Sequence, residues 1–117
     1  MARPRKFRKV CCMPATEQFG PIGCAANSDQ IITMSVDEYE AIRLMDLEGC
    51  TQEECAAQMG IARTTVQGIY NDARRKLADA LVHGKLLTIY GGNYMLCENF
   101  ENTCGKGCNK HCQRKTY

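Results

Sequence analysis

Two sets of residues in this chain have types and spacings that could do chemistry. Near the C-terminus Cys97, Cys104, Cys108 and Cys112 stand at C-x6-C-x3-C-x3-C, with His111 beside the last. Four thiolates so close together suit a closed tetrahedral shell around Zn²⁺, with Zn–S bonds of about 2.3 Å. An iron–sulfur cluster uses the same four thiolates, so ligand type leaves both metals open. Gly105 and Gly107 would let backbone amides turn toward the sulfurs, and Lys106 and Lys110 would offset the negative charge. The spacing matches neither a zinc ribbon nor a ferredoxin pattern. A thiol-rich tail without metal and a redox-active thiol pair remain as other readings.

The second set is Arg63, Thr64, Gln67, Gly68 and Asn71, which lie opposite the apolar positions Val66, Ile69, Tyr70, Ala73, Leu77 and Leu81. Steps of mostly three and four residues predict one amphipathic helix running to about Val82 and ending at Gly84. Its polar residues suit a DNA groove. Arginine bridges guanine, glutamine and asparagine pair with adenine, and threonine reaches phosphate or a thymine methyl. Thr65, Arg74 and Arg75 complete the candidate DNA-binding set on this helix. A solvated helix shows the same polar face without any nucleic acid, so periodicity alone leaves both readings open.

The elements that must position this helix are also legible. Ser35 with Glu38, and Thr51 with Glu54, form capping boxes, so helices are expected over "SVDEYEAIRLMDLEG" and "TQEECAAQMG". Val36, Tyr39, Ile42 or the stem of Arg43, and Leu47 fall near one face of the first. Cys55, Ala56 and Met59 fall on one side of the second, and Ala56 and Ala57 leave room for a helix to approach. Gly60 is a low-cost left-handed turn residue, and Ile61 would plug the core between the helices. Two helices joined by a short glycine-containing turn are the helix-turn-helix pattern. Ala62 opens the second of them without a side-chain cap, at a cost of about 1 kcal/mol unless a neighbouring threonine substitutes. Gly68 weakens the same helix by up to about 1 kcal/mol, and could allow close backbone approach to a phosphate.

Elsewhere Pro14, Gly20, Pro21 and Gly23 argue against long helices before residue 34. "FRKVCCM", "QIITM" and "KLLTIYGG" read as short strands. A strand at Leu86–Tyr90 is expected to pair with one around Arg8–Cys12, fixing the N-terminal arm beside the helix that begins at Arg63. Three regions result: a basic arm and irregular segment over 1–34, a helix-turn-helix domain over 35–92, and a Cys-rich tail over 93–117.

Charge is nearly balanced over the 117 residues, at +2, but its distribution is uneven. Residues 1–10 carry Arg3, Arg5, Lys6, Arg8 and Lys9 and no acid; residues 11–62 carry nine acids and one base, Arg43. Such an arm can follow a phosphate backbone or enter a minor groove, so Arg3, Arg5, Lys6 and Arg8 join the candidate DNA-binding residues. A solubilising terminus is its plainer reading. No apolar run approaches the ~20 residues of a membrane span, and no apolar segment follows the basic N-terminus as in a signal peptide. A cytoplasmic protein is expected, which makes its nine cysteines thiols or metal ligands rather than disulfides. Cys55 reads as a core residue and Cys50 as part-exposed, while Cys11, Cys12 and Cys24 could form a second site. His83 at a helix C-terminus is explained by the helix dipole. No phosphate-cradling loop, H-E-x-x-H, serine elbow or C-x-x-C pair is present, so no enzyme is expected.

"RPRKFRKVC", the stretch from "SVDEYEAIRLMDLEG" through "LVHGK", and "LTIYGG" together resemble a family of small predicted DNA-binding proteins of bacteria and archaea. Its helical core is similar to the promoter-reading fourth region of sigma-70 factors, and the resemblance covers residues 3 to about 92. It implies a mainly α fold of sigma region 4 or winged-helix type, with Gln52–Met59 as supporting helix and Arg63 to about Leu81 as recognition helix. The function expected is that of a sequence-specific transcriptional regulator bound to double-stranded DNA, most simply as a homodimer. The alternatives are a metal-binding or redox-sensing protein in which the helix pair is scaffold, and a module that contacts RNA polymerase through its acidic face.

Overall fold

The structure, a computed structural model, describes residues 7–23 and 30–96. Three α-helices run through the described residues. α1 (Val36–Ile42) starts at Ser35, whose capping box is complete: Glu38 N–H donates to Ser35 Oγ at 3.3 Å and Ser35 N–H to Glu38 Oε1 at 2.9 Å. The box at Thr51 opens α2 (Gln52–Met59) in the same way, with bonds of 2.9 and 3.1 Å. Gly84, at φ 64°, closes the 21-residue α3 (Arg63–His83).

Between α1 and α2 the helix does not stop at once. Arg43–Leu47 continues it as a wider π turn, with Glu48 N–H reaching back five residues to Arg43 O at 2.9 Å. The extra residue per turn rotates the face that follows. Leu47, expected on the buried side, is therefore 76% exposed, while Leu44 is fully buried.

Among the described residues five short strands complete a small α/β domain, with more sheet than the mainly α fold expected from sequence. They are β1 (Arg8–Val10), β2 (Gln18–Phe19), β3 (Ile31–Met34), β4 (Leu86–Ile89) and β5 (Tyr94–Leu96). β1 and β3 fall inside the segments read as strands. The expected pairing of 86–90 with the arm strand does not form. β4 instead lies at the centre of a three-stranded sheet, antiparallel to β2 and parallel to β3, with Met34 opposite Ile89. Parallel neighbours need a long crossover, and α1, α2 and α3 supply it. β1 pairs with β5 in parallel, Arg8 opposite Tyr94.

A tight bend at Gly91 and Gly92 makes that second pairing possible. Gly91 O accepts from Val36 N–H at 2.9 Å, and a Cβ on Gly92 (φ 108°) would overlap Asp37 Oδ1 and the Ser35 side chain. The chain leaving β4 is thus pressed against the start of α1 and delivered to β1.

The core has two clusters, and α3 belongs to both. Val66 and Ile69 pack with Ala41, Leu44, Cys50, Cys55, Ala56 and Met59; Ala73 packs with Val10, Met34, Val36, Leu87 and Ile89. Cys55 is a core residue as expected, but Cys50 is buried too, not part-exposed. The apolar stripe of α3 outruns its partners at the C-terminal end, where Leu81 and Val82 are exposed.

Candidate nucleic-acid interface

The candidate face is built by the junction of α2 and α3. Gly60 caps α2 in the left-handed conformation, at φ 69° and ψ 35°. Its N–H donates to Ala57 O at 3.3 Å, and Ile61 N–H donates back to Ala56 O at 3.1 Å. That pair of bonds is a Schellman closure, and it leaves Ile61 partly buried against the first core cluster. Ala62 then takes the extended backbone of an N-cap but offers no side-chain bond, as its type dictates. α2 is held behind α3 by Ala56 and Met59, both buried against Val66; Ala57 faces solvent.

Burial along the first three turns of α3 follows the helical period closely. Val66 and Ile69 face the core, while Arg63, Thr64, Gln67, Gly68 and Asn71 are exposed and Thr65 is intermediate. The five exposed candidates thus share one side of a rigid element. Arg63 makes no ion pair among the described residues, and neither does the exposed Arg75 two turns beyond Gly68.

Arg74 and Lys76, farther along α3, are engaged. Arg74 lies over the Tyr70 ring, 5.4 Å from its centroid, with Nε 3.9 Å from Asp46 Oδ2. Tyr70 donates its hydroxyl to Asp46 Oδ1 at 2.6 Å, and that bond holds the phenol protonated beyond its ordinary range. Lys76 Nζ sits 2.8 Å from Glu38 Oε1 and clamps α3 to the first turn of α1. Neither Asp72 nor Asp79, the acids nearest in sequence, takes these cations. Asp79 accepts from His83 at 2.7 Å and from Lys85, and those bonds lower its pKa.

Arg8, a candidate phosphate contact, is bound to Asp37: Nη1 lies 2.9 Å from Oδ2, with the Arg8 side chain 25% exposed and Asp37 nearly buried. Arg3, Arg5 and Lys6 lie outside the described residues. So do Cys24 and the candidate ligands Cys97, Cys104, Cys108 and Cys112.

Sequence reasoning missed a buried charged assembly behind the interface. Glu40 is inaccessible and takes three donors: Arg43 Nε and Nη2, each at 2.9 Å, and the Cys11 N–H at 3.0 Å. Arg43 Nη1 extends the chain to Glu48 at 3.4 Å. Burial alone would lower the Arg43 pKa, but the hydrogen bonds and charge of Glu40 outweigh it and keep the guanidinium above its ordinary value. The i,i+3 spacing of Glu40 and Arg43 was visible in the sequence; its burial was not.

Cys11, Cys12, Cys50 and Cys55 are buried and form no disulfide, with Cys11 and Cys12 Sγ 3.7 Å apart. Among the described residues no three His, Cys, Asp or Glu side chains are placed to hold a metal. A separate apolar groove of about 610 Å³ lies between α1, the C-terminal half of α3 and the three-stranded sheet. Tyr39 and Lys85 are the ionisable groups of its lining. No described helix is long and apolar enough to cross a membrane.

Comparison with known proteins gives the family. A family model described as "Protein of unknown function DUF134" matches residues 1–97. A UPF0251 protein of Desulfitobacterium hafniense (strain Y51) is 58% identical over 114 residues, covering 97% of this chain and 91% of the relative. Another, from Caldicellulosiruptor saccharolyticus, is 46% identical over 108 residues, or 91% of this chain and 76% of the relative. A third, from Chlorobaculum tepidum, is 46% identical over 98 residues, covering 84% of this chain and 50% of the relative. No solved structure matches. The chain belongs to the DUF134 family.

Proposed function

We propose that this DUF134 protein binds double-stranded DNA sequence-specifically and acts as a transcriptional regulator. α2 and α3 serve as a helix-turn-helix of sigma region 4 type, with α3 in the major groove. The observation that carries the reading is the sidedness of α3. Arg63, Thr64, Gln67 and Asn71 are exposed together while Val66 and Ile69 anchor the same turns in the core. Those four side chains include donors and acceptors suited to base edges, and their helix is fixed from behind by the closure at Gly60. Base readout needs such a rigid platform, because a loosely held helix spreads its side chains over several registers.

Phosphate contacts are assigned by availability. Arg75 has no ion pair among the described residues, and Arg3, Arg5 and Lys6 precede β1 in the sequence. Arg8 acts differently: its bond to Asp37 anchors the arm to the body. Arg74 is held by Tyr70 and Asp46, so it contributes less to DNA than its charge suggests. One helix reads only a few base pairs, so two copies on paired half-sites are expected.

The experiment is a titration of fluorescent duplexes of mixed sequence against the purified protein at several salt concentrations. Binding should weaken linearly on a log–log plot, and Arg75→Ala should reduce the slope by about 0.9. Binding to no duplex at low salt would contradict the reading and leave the helix pair as scaffold.

A further inference from the structure

The described glycines mostly have an evident reason to be glycine. Gly23, Gly49, Gly60, Gly84, Gly91 and Gly92 have positive φ, and a Cβ on Gly20 would come within 2.9 Å of Leu86 Cδ1. Gly68 has neither reason. It is absent from the positive-φ set, it lies inside α3, and a Cβ built on it meets nothing within 4 Å. The fold therefore has room for a side chain here, and glycine in a helix interior lowers stability relative to alanine.

The position of Gly68 says what could use the bare backbone. It lies one turn from Thr64, next to Gln67 and three residues from Asn71, on the exposed side of α3. We propose that Gly68 is where a DNA sugar-phosphate strand passes closest to α3, resting directly on the helix backbone. The inference rests on the DNA-binding reading and adds the depth at which the helix seats. Within the helix the Gly68 N–H is already committed to the carbonyl one turn back. The contact is therefore steric fit, with the Cα hydrogens turned toward phosphodiester or sugar oxygens. Any side chain would hold the strand away, and with it the neighbouring Thr64, Gln67 and Asn71 from their base edges. Gly68 is a positioning residue: its effect on recognition runs through those neighbours.

The test compares the wild-type protein with Gly68→Ala and Gly68→Leu in thermal melting and in duplex binding. Both variants should melt higher, by roughly 4 °C for alanine. Binding should weaken in order of side-chain size, about tenfold for alanine and further for leucine. Wild-type binding with alanine equal or tighter would overturn the proposal and leave the DNA-binding reading intact. A lower melting temperature for Gly68→Ala would also overturn it, since the glycine would then serve the fold. Absence of wild-type binding to any duplex would overturn proposal and reading together.

Discussion

Glu40 and Arg43, three residues apart on one helical face, form a buried two-point ion pair. Nε meets Oε1 and Nη2 meets Oε2, both at 2.9 Å. Their side chains are 0% and 4% exposed. The pair ties three parts of the chain together, because Glu40 also takes the Cys11 N–H and Arg43 also reaches Glu48. It thereby fixes the C-terminal end of β1 to α1 and the π turn that follows it.

Replacing Glu40 by alanine should be strongly destabilising, because it strands a buried guanidinium and an amide donor. Breaking one partner of a buried pair costs about 3–5 kcal/mol. Urea unfolding should show that loss. A loss below about 1 kcal/mol would mean that Arg43 finds water or another carboxylate.

Ala62→Ser should stabilise the protein by about 1 kcal/mol. The backbone of Ala62 already has the extended N-cap conformation, at φ −72° and ψ 152°, and lacks only the acceptor. Thermal melting would register this as an upward shift. An unchanged or lower melting temperature would show that the first turn of α3 is capped by other means.

Cys55 should resist modification in the folded protein. Burial, then the neighbouring Cys50 and Glu40 charges, push its thiol from 9.0 up to about 12. Folded and unfolded chains both hold the proton below pH 9. Above that the unfolded chain releases it first, so this contribution to stability is lost as pH rises from 9 toward 12. Burial raises the Tyr39 phenol as well, adding in the same direction. Iodoacetamide at pH 8.5, with labelled peptides mapped by mass spectrometry, should mark Cys55 only when the protein unfolds. Rapid labelling of the folded protein would contradict its placement.

Local features of this fold were legible in the sequence and long-range ones were not. Both capping boxes, the stops at Gly60 and Gly84, and the inward residues of α2 depend on neighbours within about one turn, and each stands where the residues put it. The exposed face of α3 was legible for the same reason, since a 3.6-residue period needs no knowledge of the partner. Strand pairing needs that knowledge. β4 lies beside β3 because three intervening helices carry the chain back, and β1 was left for β5 by the bend at Gly91 and Gly92. The partners of charged side chains were hidden likewise: Lys76 pairs with Glu38 and Arg8 with Asp37, across separations of 38 and 29 residues. Asp72 and Asp79 are the acids nearest in sequence to Arg74 and Lys76, yet tertiary packing supplies Asp46 and Glu38 instead. The π turn also gave no signal, and it is what moved Leu47 from the buried face to solvent.

The central claim is that the first turns of α3 read base edges. The most direct measurement is a duplex selection on the wild-type protein, then competition binding of the selected and scrambled duplexes to the double variant Arg63→Ala, Gln67→Ala. The account predicts that the variant loses most of its preference for the selected sequence while keeping most of its salt-dependent affinity. Equal weakening on selected and scrambled duplexes, with the preference intact, would contradict it.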